Sequence, residues 1–349
     1  MDSHDSEERS LQRLPGVRRV GISSGRQALV KAAPLYADNP MPLVIYPAIP
    51  GVSLADWAEL NRVFIEAELL DHGAILFRNF NLKTIDDFEK ALHAMTDELL
   101  EYSERSSPRS AVGNRVYTST DYPAAQAIFP HNEHTYSKRF PMKLFFFCHT
   151  PAESGGETPI ADCRKVLRRL SPATRERFIE KKWMYVRNFN DGFGLSWQTV
   201  FQTEDKARVE EYCRDFDIQV EWKEGNRLRT RQIRPAMAAH PATGNLIWFN
   251  HATFFHVSTL EAPAREALLA EFKDEDLPNN TYYGDGSKIE PHTMDELRDA
   301  YAQELVSFPW QRGDLLMIDN MLTVHSRAPY TGERKILVAM SEPHTRNDI

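Results

Sequence analysis

Short apolar segments separated by turn residues run through most of the chain, and this pattern limits the folds open to it. The segments most typical of β-strands are 115–118, 142–149, 218–222, 245–249, 315–318 and 335–340. The segment 142–149 is strongly aromatic and has a proline close to each end. Many short strands with turns between them favour a β-barrel or a jelly roll that also carries helices.

The first hundred residues add helix signals to this pattern. Ser53 is a plausible N-cap, apolar residues follow it three and four positions apart, and Gly73 is placed to end the helix. The apolar segment 74–77 then predicts a buried strand. Thr84 and Asp87 have the spacing of a capping box, which predicts a second helix after that strand.

Later helices are predicted from 171 to 181, where a Ser-Pro pair suits the first turn, and near 204–216 and 262–273. No repeat and no Gly/Ser-rich or Pro-rich linker divides the sequence. We therefore predict a disordered, charged tail over 1–14 and a single domain over 15–349, mainly β with helices (α+β). The region of about 165–290 is predicted to be a helical insertion between early and late core strands.

Composition narrows the class of protein. The 349 residues carry 42 Lys and Arg against 50 Asp and Glu, a net charge of −8, which argues against a nucleic-acid partner. The apolar runs are too short to span a membrane, and the acidic N-terminus does not resemble a secretory signal. Three cysteines without close pairing favour a reducing compartment, so we expect a cytoplasmic protein.

The segment Phe129-Pro130-His131-Asn132-Glu133-His134 holds the first chemical signal. In an extended strand, residues two apart point to one face, so His131 and Glu133 would lie side by side and His134 would point away from Glu133. One more histidine would complete a two-histidine, one-carboxylate triad, which leaves positions open and suits non-haem Fe(II). His-x-Glu alone arises often by chance, and a polar surface loop is the simpler interpretation.

A candidate third ligand comes from the far end of the chain. His325 follows a turn at 312–314, an apolar strand and a second turn at Asp319 and Asn320. Arginine follows soon after, at positions 327 and 334. A guanidinium can hold a carboxylate in a bidentate fork, which a metal-chelating 2-oxo diacid needs for its far end.

Together these segments resemble the taurine dioxygenase/clavaminate synthase (TauD/TfdA-like) superfamily of Fe(II)- and 2-oxoglutarate-dependent oxygenases. The matching motifs are His131-Asn132-Glu133, Gly155-Gly156-Glu157-Thr158, Trp248-Phe249-Asn250, Arg312-Gly313-Asp314, Asp319-Asn320 and His325. The resemblance implies a double-stranded β-helix (jelly-roll) core. It also implies Fe(II) on His131, Glu133 and His325, and 2-oxoglutarate on Thr158 and an arginine. Arg334 is nine residues past His325 and is the first choice for that arginine, with Arg327 as the alternative.

The reaction that the resemblance implies consumes O₂ and 2-oxoglutarate, releases succinate and CO₂, and hydroxylates a C–H bond of a second substrate. Desaturation or cyclisation at the same centre is the alternative, whereas halogenation would need Glu133 to be missing. A zinc-dependent hydrolase could use the same three ligands but has no use for Thr158 and Arg334. A non-catalytic module would be expected to have lost a ligand.

Within the superfamily, the segments around His131 and Thr158 look most like the branch of the syringomycin-pathway aspartyl hydroxylase. That branch modifies amino acids in natural-product biosynthesis, either free or bound to a carrier protein. A basic run at 227–234 could receive an acidic carrier protein, although a solvated strand edge is the simpler interpretation. The oligomeric state stays open, with a homodimer as the candidate. Our candidate substrate contacts are Asn132, Tyr136, Asn250, His251 and Phe254.

Overall fold

The computed structural model describes residues 29–101, 112–113, 115–119, 122–189 and 194–346. The predicted tail over 1–14 lies outside these residues. The described strands are β1 (Val30–Tyr36), β2 (Asn39–Pro47), β3 (Ala74–Phe77), β4 (Tyr117–Thr118), β5 (Ile128–His131), β6 (Arg139–Thr150), β7 (Ser154–Gly155), β8 (Ile160–Asp162), β9 (Trp183–Phe189), β10 (Ile218–Lys223), β11 (Arg227–Arg234), β12 (Met237–Ala239), β13 (Leu246–Trp248), β14 (Asn279–Tyr283), β15 (Leu315–Asp319), β16 (Thr323–Arg327), β17 (Tyr330–Thr331) and β18 (Lys335–Thr345). The described α-helices are α1 (Leu54–Leu60), α2 (Arg62–His72), α3 (Ile85–Met95), α4 (Cys163–Arg169), α5 (Pro172–Lys181), α6 (Trp197–Phe201), α7 (Lys206–Asp215), α8 (Ala262–Glu271) and α9 (Pro291–Glu304).

A seven-stranded sheet in the order β1-β2-β3-β15-β6-β18-β4 forms the larger layer of the core. Its middle strand, β15, pairs with β3 on one side and β6 on the other, so Met317 lies between Ile75 and Phe145. Both faces of this strand are covered, which explains why it is apolar without alternation. The predicted strands 74–77, 142–149, 315–318 and 335–340 are confirmed.

The two faces of this sheet meet different partners. Leu315 and Met317 pack with the helices at 54–95, whereas Leu316 and Ile318 belong to a cluster with Ile160 of β8. Strand β8 is part of a three-stranded sheet, β5-β16-β8, which therefore packs on the face opposite the helices. The two opposed sheets match the predicted jelly-roll core with N-terminal helices.

The helices at the start of the chain begin and end where the sequence indicates, with one exception. Ser53 accepts a hydrogen bond from Asp56 N, and Thr84 and Asp87 form the predicted capping box. The predicted first helix is divided in two at Asn61, whose side chain donates to Trp57 O at 2.7 Å. This local bond competes with helical geometry and explains the break.

Residues 183–283 contain a further sheet, which has four strands in the order β10-β11-β9-β14. Of these strands, only β10 was predicted. The predicted helices of this region are present as α5, α7 and α8, together with the short helix α6, which was not predicted. The region therefore combines a sheet with helices and is not a purely helical insertion. The limits of the insertion stay a prediction.

The basic run lies on β11, an interior strand of that sheet. Arg229 lies 2.7 Å from Asp276, and Arg231 lies 2.8 Å from Glu221. Arg234 is 1% exposed and donates to backbone carbonyls. Three of the four arginines are therefore paired or buried, whereas Arg227 is exposed and donates to Glu224 O at 2.9 Å. A carrier protein as the partner of this run stays a prediction.

All three cysteines are free and buried. Burial raises the pKa of the Cys148 thiol to about 12, which keeps it protonated and unreactive at neutral pH. Within the described part of the chain, no helix has both the length and the apolar character that a membrane span requires.

Candidate metal centre and adjoining pockets

Strands β5 and β16 bring two histidines together from distant parts of the sequence. They pair antiparallel with His131 opposite His325, and the two rings lie 4.3 Å apart. A ligand atom of Glu133 joins them, and the ligand atoms of the three residues all lie within 4.8 Å of one another. Two imidazoles and one carboxylate at this spacing form a donor set that fits Fe(II).

The local conformation differs from the predicted one. Strand β5 ends at His131, and Glu133 lies in the turn that follows, so the two residues do not share one extended strand. His134 has a φ of 60° and returns towards the centre, where its Nε2 lies 3.5 Å from Glu133 Oε1. The prediction that His134 points away from Glu133 is therefore wrong, because the chain turns at this point.

Asn320 fixes the backbone of Glu133 across the barrel. Its Oδ1 accepts from Glu133 N at 2.7 Å, while its Nδ2 donates to the carbonyls of Glu133 and Pro141 at 2.9 and 2.8 Å. Asn132 returns the contact, since its Nδ2 donates to Asn320 O at 2.6 Å. These bonds join the turn that holds Glu133 to the loop that precedes His325.

The loop that precedes His325 is also held by two buried residues, Asp319 and His240. Asp319 Oδ1 accepts from the backbone N–H groups of Met321 and Leu322, both at 2.8 Å. Its Oδ2 accepts from His240 Nε2 at 3.0 Å. His240 Nδ1 accepts from the N–H of Thr243, which leaves the proton on Nε2.

His131 is oriented by the strand that carries it. Its Nδ1 lies 2.8 Å from Phe129 O. Because a carbonyl can only accept, Nδ1 carries the proton and the lone pair of Nε2 is directed elsewhere. The rings of Phe254 and Phe146 lie 4.5 Å from His131 and 4.9 Å from His325, which limits the access of water to the centre.

A narrow cavity extends from the two histidines to Thr158 and Arg334. Arg334 Nε donates to Gly156 O at 2.7 Å, and Nη2 lies 3.4 Å from Thr158 Oγ1. Gly156 has a φ of 74°, and a Cβ there would lie 2.9 Å from Arg334 Cδ. The glycine therefore allows the loop to approach the arginine closely.

The polar groups at this end of the cavity suit an anion. Burial, reinforced by the charge of Arg327, lowers the pKa of Arg334 to about 10, and no carboxylate forms an ion pair with it among the residues that the structure describes. Thr158 Oγ1 accepts from Trp310 Nε1 at 3.2 Å, so its own proton is available to donate. A carboxylate placed here would receive both a guanidinium and a hydroxyl.

Arg327 also lines this cavity but its guanidinium is already engaged. Nη1 donates to Tyr122 O at 2.9 Å, and Nη2 donates to the carbonyls of Pro123 and Gln126 at 2.6 and 2.8 Å. These contacts hold the segment 122–126 against the barrel. Of the two arginines, Arg334 is therefore better placed to bind a carboxylate.

A larger cavity, of about 380 Å³, also borders His131. Much of its wall is apolar, and both Glu133 and His131 reach it. Three of the predicted substrate residues line it: Tyr136, His251 and Phe254. The size and the apolar wall are typical of a pocket for a small molecule.

The other two predicted substrate contacts, Asn132 and Asn250, are not among the residues that line this cavity. Asn132 is 0% exposed and directs its amide to backbone carbonyls of the loop at 320–323. Asn250 is engaged at both ends, since it donates to Ala236 O at 2.8 Å and accepts from Ala252 N at 2.9 Å. Both asparagines hold the backbone around the centre, a role that a sequence pattern does not distinguish from ligand binding.

His251 is part of the pocket wall next to the centre, and its ring lies 5.9 Å from that of His131. Its Nδ1 is hydrogen-bonded to Thr135 Oγ1, and its ring stacks on Phe255 at 4.9 Å. Burial, followed by the nearby His131, holds the pKa of His251 well below its usual range, so the ring is neutral.

Several residues of the cavities were missed from the sequence. Ser119 lines the narrow cavity, and His134, Ala264 and Leu268 line the larger one. The spacing of Ala264 and Leu268, four residues apart on a helix, was the one available signal. A sequence pattern alone does not show which helix faces a pocket.

Comparison with known proteins gives consistent results. The model of the family "Taurine catabolism dioxygenase TauD, TfdA family" matches residues 37–340. The dapdiamide synthesis protein DdaC of Enterobacter agglomerans is 42% identical over 279 residues, which cover 80% of this chain and 85% of that one. A clavaminate synthase-like protein of Arabidopsis thaliana is 30% identical over 323 residues, which cover 87% of this chain and 94% of that one.

Solved structures share the fold. PvcB of Pseudomonas aeruginosa, described as an Fe, alpha-ketoglutarate dependent oxygenase from an isonitrile synthetic pathway, has a TM-score of 0.55. The alignment covers 93% of this chain and 94% of PvcB at 15% identity. A taurine dioxygenase of Burkholderia xenovorans has a TM-score of 0.51 at 16% identity and covers 92% and 93% of the two chains. The predicted jelly-roll fold is thereby confirmed.

Proposed function

The chain belongs to the taurine catabolism dioxygenase TauD/TfdA family and is an Fe(II)- and 2-oxoglutarate-dependent dioxygenase, and from this we propose which of its residues bind the iron and 2-oxoglutarate. His131, Glu133 and His325 hold the iron. Arg334 and Thr158 bind the far carboxylate of 2-oxoglutarate in the narrow cavity. The zinc-dependent hydrolase and the non-catalytic module considered from the sequence are wrong, because the family is one of dioxygenases.

The observation that carries this assignment is that His131 borders both cavities. When bound, iron supplies O₂ activation coupled to the decarboxylation of 2-oxoglutarate to succinate and CO₂. The chain orients His131 through Phe129 O and Glu133 through Asn320. Arg334 and Thr158 line the narrow cavity and not the larger one, so we assign the co-substrate and the substrate to separate cavities that meet at His131.

We propose that the larger pocket takes an amino acid or an amino-acid-derived substrate, which is hydroxylated at an unactivated C–H. The match to a dapdiamide synthesis protein supports a role in natural-product biosynthesis. Tyr136, His251 and Phe254 supply the wall next to the centre. Desaturation or cyclisation of the same substrate is the alternative outcome. The buried, free cysteines support a cytoplasmic location, and a homodimer stays the candidate assembly.

The test is a stimulation assay. Full-length protein with Fe(II), 2-oxoglutarate and O₂ is given a panel of amino acids, their primary amides and their pantetheine thioesters, and succinate is measured. We expect at least one member to raise succinate formation above the substrate-free rate and to gain one oxygen atom by mass spectrometry. Stimulation by taurine alone, with none from the panel, would contradict the proposed substrate class.

A further inference from the structure

His256 belongs to the wall of the larger pocket and is not one of the proposed metal, 2-oxoglutarate or substrate residues. It lies two residues after Phe254, whose ring is 4.5 Å from that of His131. His256 is partly buried and is the N-cap of a short 3₁₀ helix over Val257–Thr259. A substrate that reaches the metal centre through this pocket therefore passes the imidazole.

One nitrogen of this imidazole is fixed as an acceptor. The backbone N–H of Ser258 donates to His256 Nδ1 at 3.1 Å, and Ser258 Oγ lies 2.7 Å from the same nitrogen. Because a backbone N–H can only donate, Nδ1 carries no proton and the neutral ring carries it on Nε2.

Arg298 supports the hydrogen bond between Ser258 and His256 Nδ1. Its Nη1 donates to Ser258 Oγ at 3.0 Å, which directs the hydroxyl proton of Ser258 to His256 Nδ1. Arg298 is itself paired with Asp295 at 2.6 Å. Burial, then the charge of Arg298, lowers the pKa of His256 to about 4 against a smaller opposing effect of Asp274. The ring is therefore neutral at physiological pH.

The other nitrogen is left for a ligand. Among the described residues, none forms a hydrogen bond with His256 Nε2, and the residue belongs to the lining of the pocket. The chain thus holds one N–H donor in a fixed tautomer on a wall that also contains Phe255 and Leu268. A fixed donor on a largely apolar wall selects for an acceptor at one position of the ligand.

We propose that His256 donates its Nε2–H to the carbonyl oxygen of an acyl group, an amide or a thioester, in the primary substrate. This rests on the proposed function and specifies the form of the amino-acid-derived substrate. A neutral imidazole supplies one donor and no charge, which suits a carbonyl. A free carboxylate would require a cation, and the guanidinium of Arg298 is engaged with Asp295 and Ser258.

The experiment uses the amino acid that stimulates most in the assay above, in four forms: the primary amide, the pantetheine thioester, the free acid, and the amine in which the carbonyl is reduced to CH₂. Binding to anaerobic protein loaded with Fe(II) and 2-oxoglutarate is followed by the shift of the visible charge-transfer band. His256→Ala, His256→Gln and the exposed control His93→Gln are compared with wild type.

We expect His256→Ala to weaken binding of the amide or thioester by about tenfold, the effect of one lost hydrogen bond. It should leave the binding of the reduced amine unchanged. His256→Gln, which retains an N–H donor, should restore part of the affinity, and His93→Gln should match wild type. Long-range ¹H–¹⁵N spectra of the Zn(II)-substituted protein should show the Nε2–H tautomer, and Ser258→Ala should weaken that preference.

Equal loss of affinity for the amide and the reduced amine would overturn the proposal, because it would indicate a steric role only. Tighter binding of the free acid than of the amide and thioester would overturn it as well. Absence of stimulation by any form in wild type would instead refute the proposed substrate class. The two failures are therefore distinguishable.

Discussion

Asn320 forms hydrogen bonds with both the N–H and the carbonyl of Glu133 and lies five residues before His325. We predict that Asn320→Ala weakens Co(II) or Fe(II) binding by about ten- to a hundredfold, as is typical when the support of a metal ligand is lost. Calorimetric titration with Co(II) measures this without turnover. Asn245→Ala, at an exposed position, is the control. Unchanged metal affinity in a folded Asn320→Ala protein would show that Glu133 does not need this support.

The two arginines of the narrow cavity give a second prediction. Arg334→Ala should raise the 2-oxoglutarate concentration needed for half-maximal activity by about a hundredfold, because a buried carboxylate loses its charged partner. Arg327→Ala should change this requirement only a few-fold, since its guanidinium is bonded to the carbonyls of Tyr122, Pro123 and Gln126. The reverse order of effects in 2-oxoglutarate saturation curves would show that Arg327 is the anchor.

The sequence predicts the types of residue at the centre better than their individual tasks. His131, Glu133 and His325 are brought together as predicted, because several family motifs occur together and in order although His-x-Glu alone is a weak signal. Asn132 and Asn250 were assigned to the substrate, yet their amides bind backbone carbonyls. An asparagine is equally suited to either task, and only the three-dimensional surroundings decide which one it performs.

Helix α3 shows how far local sequence determines an element. Asp87 accepts from the N–H groups of Lys83 and Thr84, and the first of these bonds is the main reason that its pKa is lowered. The stabilisation is therefore complete above the usual pKa of the carboxyl and is lost as the pH falls through the lowered value. We predict that Asp87→Asn reduces the dependence of Tm on pH in the acid range.

Thr84→Ala should remove the other half of this capping box and destabilise the protein by about 1 kcal/mol in urea unfolding. Ser196→Ala, at the cap of the short helix α6, offers a comparison at a second exposed N-terminus. A loss below the error of the measurement at Thr84 would show that the cap is formed but does not contribute to stability.

Helix α8 illustrates what local sequence does not reveal. None of its residues is buried, yet Ala264 and Leu268 form part of the pocket wall. We predict that Leu268→Ala raises the KM for the primary substrate several-fold and changes the unfolding free energy by no more than about 1 kcal/mol. The adjacent Leu269 is 48% exposed, so Leu269→Ala is the matched control. Equal KM values for the two variants would contradict a substrate contact at Leu268.

The assembly of the barrel lies beyond what local patterns determine. Glu133 and His325 are 325 − 133 = 192 residues apart, and the pairing of β5 with β16 brings them together. The short strands were predictable from turn signals and apolar segments, which favoured a barrel or a jelly roll, and the family resemblance implied the jelly roll. The order of strands and the second sheet over 183–283 were not, because pairing depends on contacts between distant segments.

The most direct test is anaerobic titration of the protein with Fe(II) and 2-oxoglutarate, followed by the visible charge-transfer band of the complex. Wild type should develop the band with one equivalent of iron, and the exposed control His93→Ala should match it. His325→Ala should keep the circular dichroism spectrum of wild type but bind no iron and show no band. A full band in folded His325→Ala protein would contradict the assignment of the metal centre.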